Sequence, residues 1–140
     1  MYQALKQKPQ RCAVLNKHAA QQNLTKSLLK DIGAIKINLK LDGVGINQGC
    51  VEYYHIPRQQ HTFPSPKKTA NGCLSYYLLD AASILPVLAL DVGPSCTVLD
   101  MCAAPGGKTF LIGQLLSHDG LLVSNEPVKS RRVKLNKVSL

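Results

Sequence analysis

Residues 98–109, Val-Leu-Asp-Met-Cys-Ala-Ala-Pro-Gly-Gly-Lys-Thr, run from an apolar strand into an acid, then a Pro-Gly-Gly turn, then the opening of a helix. A strand that passes at once through a glycine turn into a helix aims backbone N–H groups at whatever lies over the carboxyl end of the sheet. The positive end of the helix dipole points the same way. This arrangement belongs to α/β folds with a parallel sheet, and it makes a nucleotide-cofactor cradle.

The variant of the turn narrows the ligand. A Walker A loop needs Gly-x-x-x-x-Gly-Lys-Ser/Thr; Gly107, Lys108 and Thr109 match its end, but Cys102 stands at the first glycine position. The Gly-x-Gly-x-x-Gly spacing of a dinucleotide fold is absent. What remains suits a cofactor without phosphate. The carboxylate of S-adenosylmethionine can take the helix N-terminus, and Gly106 and Gly107 admit close main-chain approach. Glu126, about 20 residues past the turn, ends the next predicted strand and can accept ribose hydroxyls, as the equivalent acid does in dinucleotide folds. It also suits a helix start ahead of Pro127, and the two roles are compatible.

Around the turn, periodicity predicts a helix over 11–32 ended by Gly33, a strand over 35–41, and a loop marked by Gly43, Gly45 and Gly49. A second strand over 51–56 and an irregular Pro-rich connection over 57–72 follow. Leu74–Leu90 reads as helical, with Pro86 kinking one helix or starting a second. Then come a strand over 97–101, a helix over 107–116, a strand over 121–124 and a helix from about 128. The order helix, strand, helix, strand, helix builds parallel sheets with right-handed crossovers. Residues 1–70 are expected to form an N-terminal accessory region, and 71–140 the first part of the cofactor domain.

Seventeen Lys and Arg against eight Asp and Glu leave a formal net charge of +9, which favours polyanionic partners such as RNA or DNA. Lys129, Arg131, Arg132, Lys134 and Lys137 cluster near one end, and no acid precedes Asp31, as in an organellar leader within the first thirty or so residues. Such leaders are rich in Arg and Ser, whereas this stretch has only Arg11 and Ser27. Asp80, Ser83 and Pro86 interrupt the longest apolar run, so no ~20-residue membrane span is predicted. Five cysteines without a C-x-x-C pair argue against a disulfide framework and against a zinc site. His18, His55, His61 and His118 are scattered, with no Gly-x-Ser-x-Gly serine to make a hydrolase.

Three runs carry a family resemblance: Tyr76-Tyr-Leu-Leu-Asp-Ala-Ala-Ser-Ile-Leu-Pro-Val-Leu-Ala-Leu, Asp100-Met-Cys-Ala-Ala-Pro-Gly-Gly-Lys-Thr, and Asn125-Glu-Pro-Val-Lys-Ser-Arg. Together they resemble the Sun-type (Fmu-like) RNA cytosine-5 methyltransferases over residues 71–137. Phe63-Pro-Ser-Pro and the Tyr-Tyr run are most similar to the mitochondrial branch, especially its ribosomal-RNA member. The resemblance implies a Rossmann-like class I S-adenosylmethionine-dependent methyltransferase fold, here expected to stop after its second strand–helix unit. It implies that Cys102, Ala103, Ala104, Pro105, Gly106, Gly107 and Lys108 line the cofactor pocket, that Glu126 holds the ribose, and that Arg131 supports the cofactor end of the following helix. Family members often carry Asp where Glu126 stands.

The family's nucleophile is a thiol from a Thr-Cys segment, supported by a Pro-Cys segment, and neither dipeptide occurs in this sequence. The expectation is therefore an RNA cytosine-5 methyltransferase of mitochondrial ribosomal RNA whose present chain is inactive alone, with no catalytic residue assigned. The implied partners are RNA and, as in that branch, a helical-repeat protein of the transcription-termination-factor type. The alternatives are a non-catalytic RNA-binding or ribosome-assembly module, and a P-loop nucleotide hydrolase.

Overall fold

The computed structural model describes residues 10–38, 51–57 and 63–138. The Gly43–Gly45–Gly49 loop, Cys50, His61 and the first nine residues lie outside that range. The elements are β1 (Arg11–Leu15), α1 (Gln22–Asp31), β2 (Ile35–Ile37), β3 (Tyr53–His55), β4 (Tyr76–Asp80), a short 3-10 turn (Ala81–Ser83), α2 (Ile84–Ala89), β5 (Thr97–Asp100), α3 (Gly107–Leu115), β6 (Leu121–Ser124) and α4 (Lys129–Leu135).

Four strands form an antiparallel sheet in the order β2-β3-β1-β4, with Ala13 facing both Tyr54 and Leu78. β1 is central, and Cys12 to Leu15 are all buried. Successive side chains of a strand point to opposite faces, so β1 feeds two cores. Cys12 and Val14 join Tyr53, Leu79, Ile84, Leu88 and Phe110 on one side; Ala13 and Leu15 join Leu29 of α1, Tyr54 and Tyr76 on the other. Helices thus cover both faces of the sheet. α3 is buried nearly all round, its Phe110 ring stacked on Tyr77 of β4 at 5.3 Å.

Two elements differ from the sequence reading. The helix predicted over 11–32 is a strand followed by a shorter helix, because a strand covered on both faces shows no polar alternation to betray its period. The helix predicted from Leu74 begins only at Ile84; Tyr76–Asp80 is instead the strand that pairs with β1 in the register Arg11–Asp80 to Leu15–Tyr76. The Tyr-Tyr pair favours a pleated, half-buried surface, and tertiary pairing settles it. Pro86 then falls in the first turn of α2, where its missing N–H has no partner to lose. The first sheet consequently takes strands from both sides of residue 70.

From α2 onward the expected order holds: α2, β5, α3, β6, α4, with β5 and β6 parallel and Leu99 beside Val123. Leu99 and Val123 are exposed, as are Leu121 and Met101. Among the described residues no helix is long and apolar enough to cross a membrane.

Candidate functional site

β5 ends at Asp100, whose carboxylate organises the turn that follows. Its Oδ2 accepts from Thr109 Oγ1 at 2.6 Å, and its Oδ1 accepts from the Cys102 backbone N–H at 3.3 Å, so the last residue of the strand is tied to the first turn of α3. The loop is fastened to the end of β6 as well, by Ala103 N donating to Asn125 O at 2.9 Å and Asn125 Nδ2 donating to Met101 O at 3.2 Å. Gly106 sits at φ +112° and caps α3 with its carbonyl, which accepts from Phe110 N at 2.8 Å. A side chain is disfavoured at that φ, which explains the residue type.

The two glycines serve the protein's own packing. A Cβ on Gly106 would lie 2.5 Å from Val138 Cγ2, and one on Gly107 3.3 Å from the Tyr77 ring. The bare face of Gly106 thus meets the chain just beyond α4, while Gly107 lets α3 close onto β4.

A cleft of about 310 Å³ opens between this loop and the edge of the first sheet. Cys102–Pro105, Gly107 and Lys108 line its loop side; Asp100 also contributes, and Arg11, Tyr77, Leu79, Asp80 and Ser83 line the sheet side. Of the nine residues expected at a cofactor pocket, six therefore meet in one cleft. Gly106, Glu126 and Arg131 are not among its lining residues.

Glu126 and Arg131 brace the loop. Glu126 is buried, with a side chain 1% exposed; its Oε1 accepts from Val128 N at 3.0 Å, which holds the entry to α4. Arg131 Nη1 stands 3.6 Å from Glu126 Oε2, and Nη2 donates to Ala104 O at 3.0 Å, joining α4 to the loop. Glu126 Oε2 is buried and has no hydrogen-bond partner. An unsatisfied buried carboxylate oxygen is costly, so this atom is poised for a donor.

Sequence reasoning missed Arg11, Tyr77, Asp80, Ser83 and Thr109. The Arg11–Asp80 pairing joins strands far apart in the chain, and no local pattern announces it; Thr109 was legible only as a Walker-like threonine, yet its hydroxyl serves Asp100.

The far end of α3 is held from the N-terminal side. Lys17 Nζ donates to Leu116 O at 2.7 Å, Lys17 N donates to Gln114 Oε1 at 2.7 Å, and the His18 ring bonds to the Gly113 carbonyl. A lysine at the last carbonyls of a helix is favoured by the dipole. Burial, and then the neighbouring Lys17 charge, hold His18 below the ordinary histidine range despite the Gly113 carbonyl.

The described cysteines range in exposure, with Cys73 between the extremes. Burial pushes the Cys12 thiol up to about 12, only partly offset by a backbone hydrogen bond, whereas Cys96 and Cys102 are exposed. Since the thiolate is the reactive form, iodoacetamide at pH 8 is expected to label Cys96 and Cys102 in the native chain and to reach Cys12 only after unfolding. Peptide mass spectrometry checks this; native labelling of Cys12 at the rate of Cys96 would contradict the packing of β1. Among the described residues no three His, Cys, Asp or Glu side chains are grouped to hold a metal ion.

Residues 87–139 match the protein-family model described as "16S rRNA methyltransferase RsmB/F". The "5-cytosine rRNA methyltransferase NSUN4" of Xenopus tropicalis is 49% identical over 76 residues, covering 54% of this chain and 18% of the relative. The "tRNA (cytosine(34)-C(5))-methyltransferase, mitochondrial" of Danio rerio is 61% identical over 77 residues, covering 51% of this chain and 21% of the relative. The chain thus spans about a fifth of the length of these relatives. A solved structure described as a methyltransferase homolog protein from Pyrococcus horikoshii superposes with a TM-score of 0.62 at 27% identity, covering 96% of this chain and 42% of that one. The α/β architecture is therefore that of the Rossmann-like methyltransferases, carried through the second strand–helix unit.

Proposed function

We propose that this chain, whose residues 87–139 match the RsmB/F methyltransferase model, carries the cofactor-binding part of an S-adenosylmethionine-dependent RNA cytosine-5 methyltransferase of mitochondrial ribosomal RNA. The observation that carries this reading is the cleft where Cys102–Pro105, Gly107 and Lys108 meet at the start of a buried helix. Its volume, about 310 Å³, suits a small molecule. Glu126 Oε2 lacks a hydrogen bond but lies outside the cleft lining at 3.6 Å from Arg131 Nη1, so a ribose hydroxyl would reach it only with that guanidinium displaced.

S-adenosylmethionine supplies an electrophilic methyl group when bound. The chain's own residues bind and orient. Main-chain N–H groups at the start of α3 would meet an anionic group of the ligand. Asp100 fixes the loop through Thr109 and Cys102, and Arg131 ties Ala104 to α4. Cys12 is buried and protonated, Cys102 belongs to the cofactor loop, and Cys73 and Cys96 do not line the cleft, so no thiol of the described residues is assigned as a nucleophile for cytosine C6. The chain alone is expected not to turn over; label transfer from the cofactor to RNA that survives Cys102→Ser would overturn that.

Calorimetry with S-adenosylhomocysteine tests the cofactor reading. Saturable binding at one site supports it, and no heat from a chain shown folded by circular dichroism sinks it. Ribosomal RNA follows the descriptions of the family and of the Xenopus relative; the Danio relative favours transfer RNA as the second reading. Lys129, Arg131, Arg132 and Lys134 all lie exposed on α4, a surface for phosphate contacts in either case.

A further inference from the structure

Two cations and two carboxylates line the cleft, and most of them are idle. Arg11 opens β1 opposite Asp80 at the end of β4, and Ala81 N donates to Gln10 O at 2.9 Å, which pins the two strand ends together. Lys108 faces the same cleft from the first turn of α3, where the helix dipole disfavours a cation. Neither Arg11 nor Lys108 has a side-chain hydrogen bond or ion pair among the described residues. Asp80 is likewise unpaired, although Arg11 is its cross-strand neighbour, and its side chain does not cap the turn that follows. Asp100, by contrast, is occupied by Thr109 and Cys102.

Free cations beside a free carboxylate in one small cleft match a ligand that bears both charges. We propose that Arg11 together with Lys108 binds the carboxylate of an α-amino-acid group, while Asp80 takes its ammonium, so that the N-terminal strand supplies part of the cofactor site. The proposal rests on the cofactor reading above, and it places that cofactor's amino-acid end against the sheet. A guanidinium presents a planar fork that matches a carboxylate with two parallel hydrogen bonds, which a lysine cannot reproduce. A lone RNA phosphate would satisfy the two cations but leave Asp80 facing an anion, which disfavours it.

Titrating the full chain with S-adenosylmethionine and with its decarboxylated analogue decides the matter, comparing wild type, Arg11→Gln and Arg11→Lys. Wild type is expected to prefer the carboxylated ligand by about tenfold or more, the size of a charge-assisted hydrogen-bonded contact, and Arg11→Gln to erase that preference. Arg11→Lys should retain part of it. Equal affinities of wild type and Arg11→Gln for S-adenosylmethionine overturn the proposal while leaving the cofactor reading intact. Equal loss for both ligands assigns Arg11 a structural role and also overturns it. Loss of RNA binding with unchanged cofactor affinity transfers Arg11 to phosphate contact, a third refutation. A folded wild type that binds neither nucleoside ends both readings.

Discussion

Gly106→Ala is expected to lower stability by about 1–3 kcal/mol and to weaken cofactor binding through distortion of the loop. The backbone there has φ +112° and ψ 0°, a conformation that L side chains rarely adopt, and the new methyl would lie 2.5 Å from Val138 Cγ2. Leu135 Cδ1 would stand 3.3 Å away on the same side. Relief by rotating φ toward negative values moves the carbonyl that accepts from Phe110 N and distorts the loop that walls the cleft. The two costs separate experimentally. Val138→Ala removes the 2.5 Å overlap with Cγ2 but leaves the Val138 Cβ contact at 3.2 Å and the torsional strain, so the double variant should regain only part of the lost stability. Urea unfolding gives the stability and calorimetry the affinity; a Gly106→Ala chain with a wild-type midpoint and wild-type binding would refute the account of the turn.

Phe110→Ala should cost about 3–5 kcal/mol, a large share of the 5–15 kcal/mol that holds a domain together. The ring has no exposed surface and stacks on Tyr77 at 5.3 Å with 24° between planes, so it joins α3 to β4 across the main core. Truncation leaves a cavity between a helix and a sheet that cannot both move in to fill it. The aromatic pair itself accounts for only about 0.5–1.5 kcal/mol of the loss, and Phe110→Leu should therefore be milder. Leu99→Ala, at a position 59% exposed, is the contrast and should fall within about 0.5 kcal/mol of wild type. If the two alanine variants unfold at the same urea concentration, the assignment of the core is wrong.

The C-terminal half was readable because local signals and tertiary pairing agree there. Thr97–Asp100, Gly107–Leu115 and Leu121–Ser124 are short elements separated by turn residues, and a parallel pair joined by a helix has few alternatives. The first half misled because its decisive contacts are distant. Cys12–Leu15 of β1 are apolar on both faces, so the strand blends into the periodicity of the following helix, and Tyr76–Asp80 becomes a strand only by lying against it. The candidate site divides along the same line. The loop residues were named through the family resemblance, whereas Arg11 and Asp80 reach the cleft through that long-range pairing. Glu126 was singled out by position and Arg131 by the resemblance, but the structure adds what no spacing shows, that they hold each other and the loop in one bracket.

The grip of Lys17 and His18 on the last turn of α3 bears on chimaeras. A hybrid that joins this N-terminal sheet to another protein's nucleoside-binding half would leave Gln114 and the Leu116 carbonyl without their counterparts, or force strangers into their place. Splicing should succeed only when residues 16–18 and 113–116 travel as a matched set, so a graft cut at the apparent linker near residue 70 is the one to expect to misassemble.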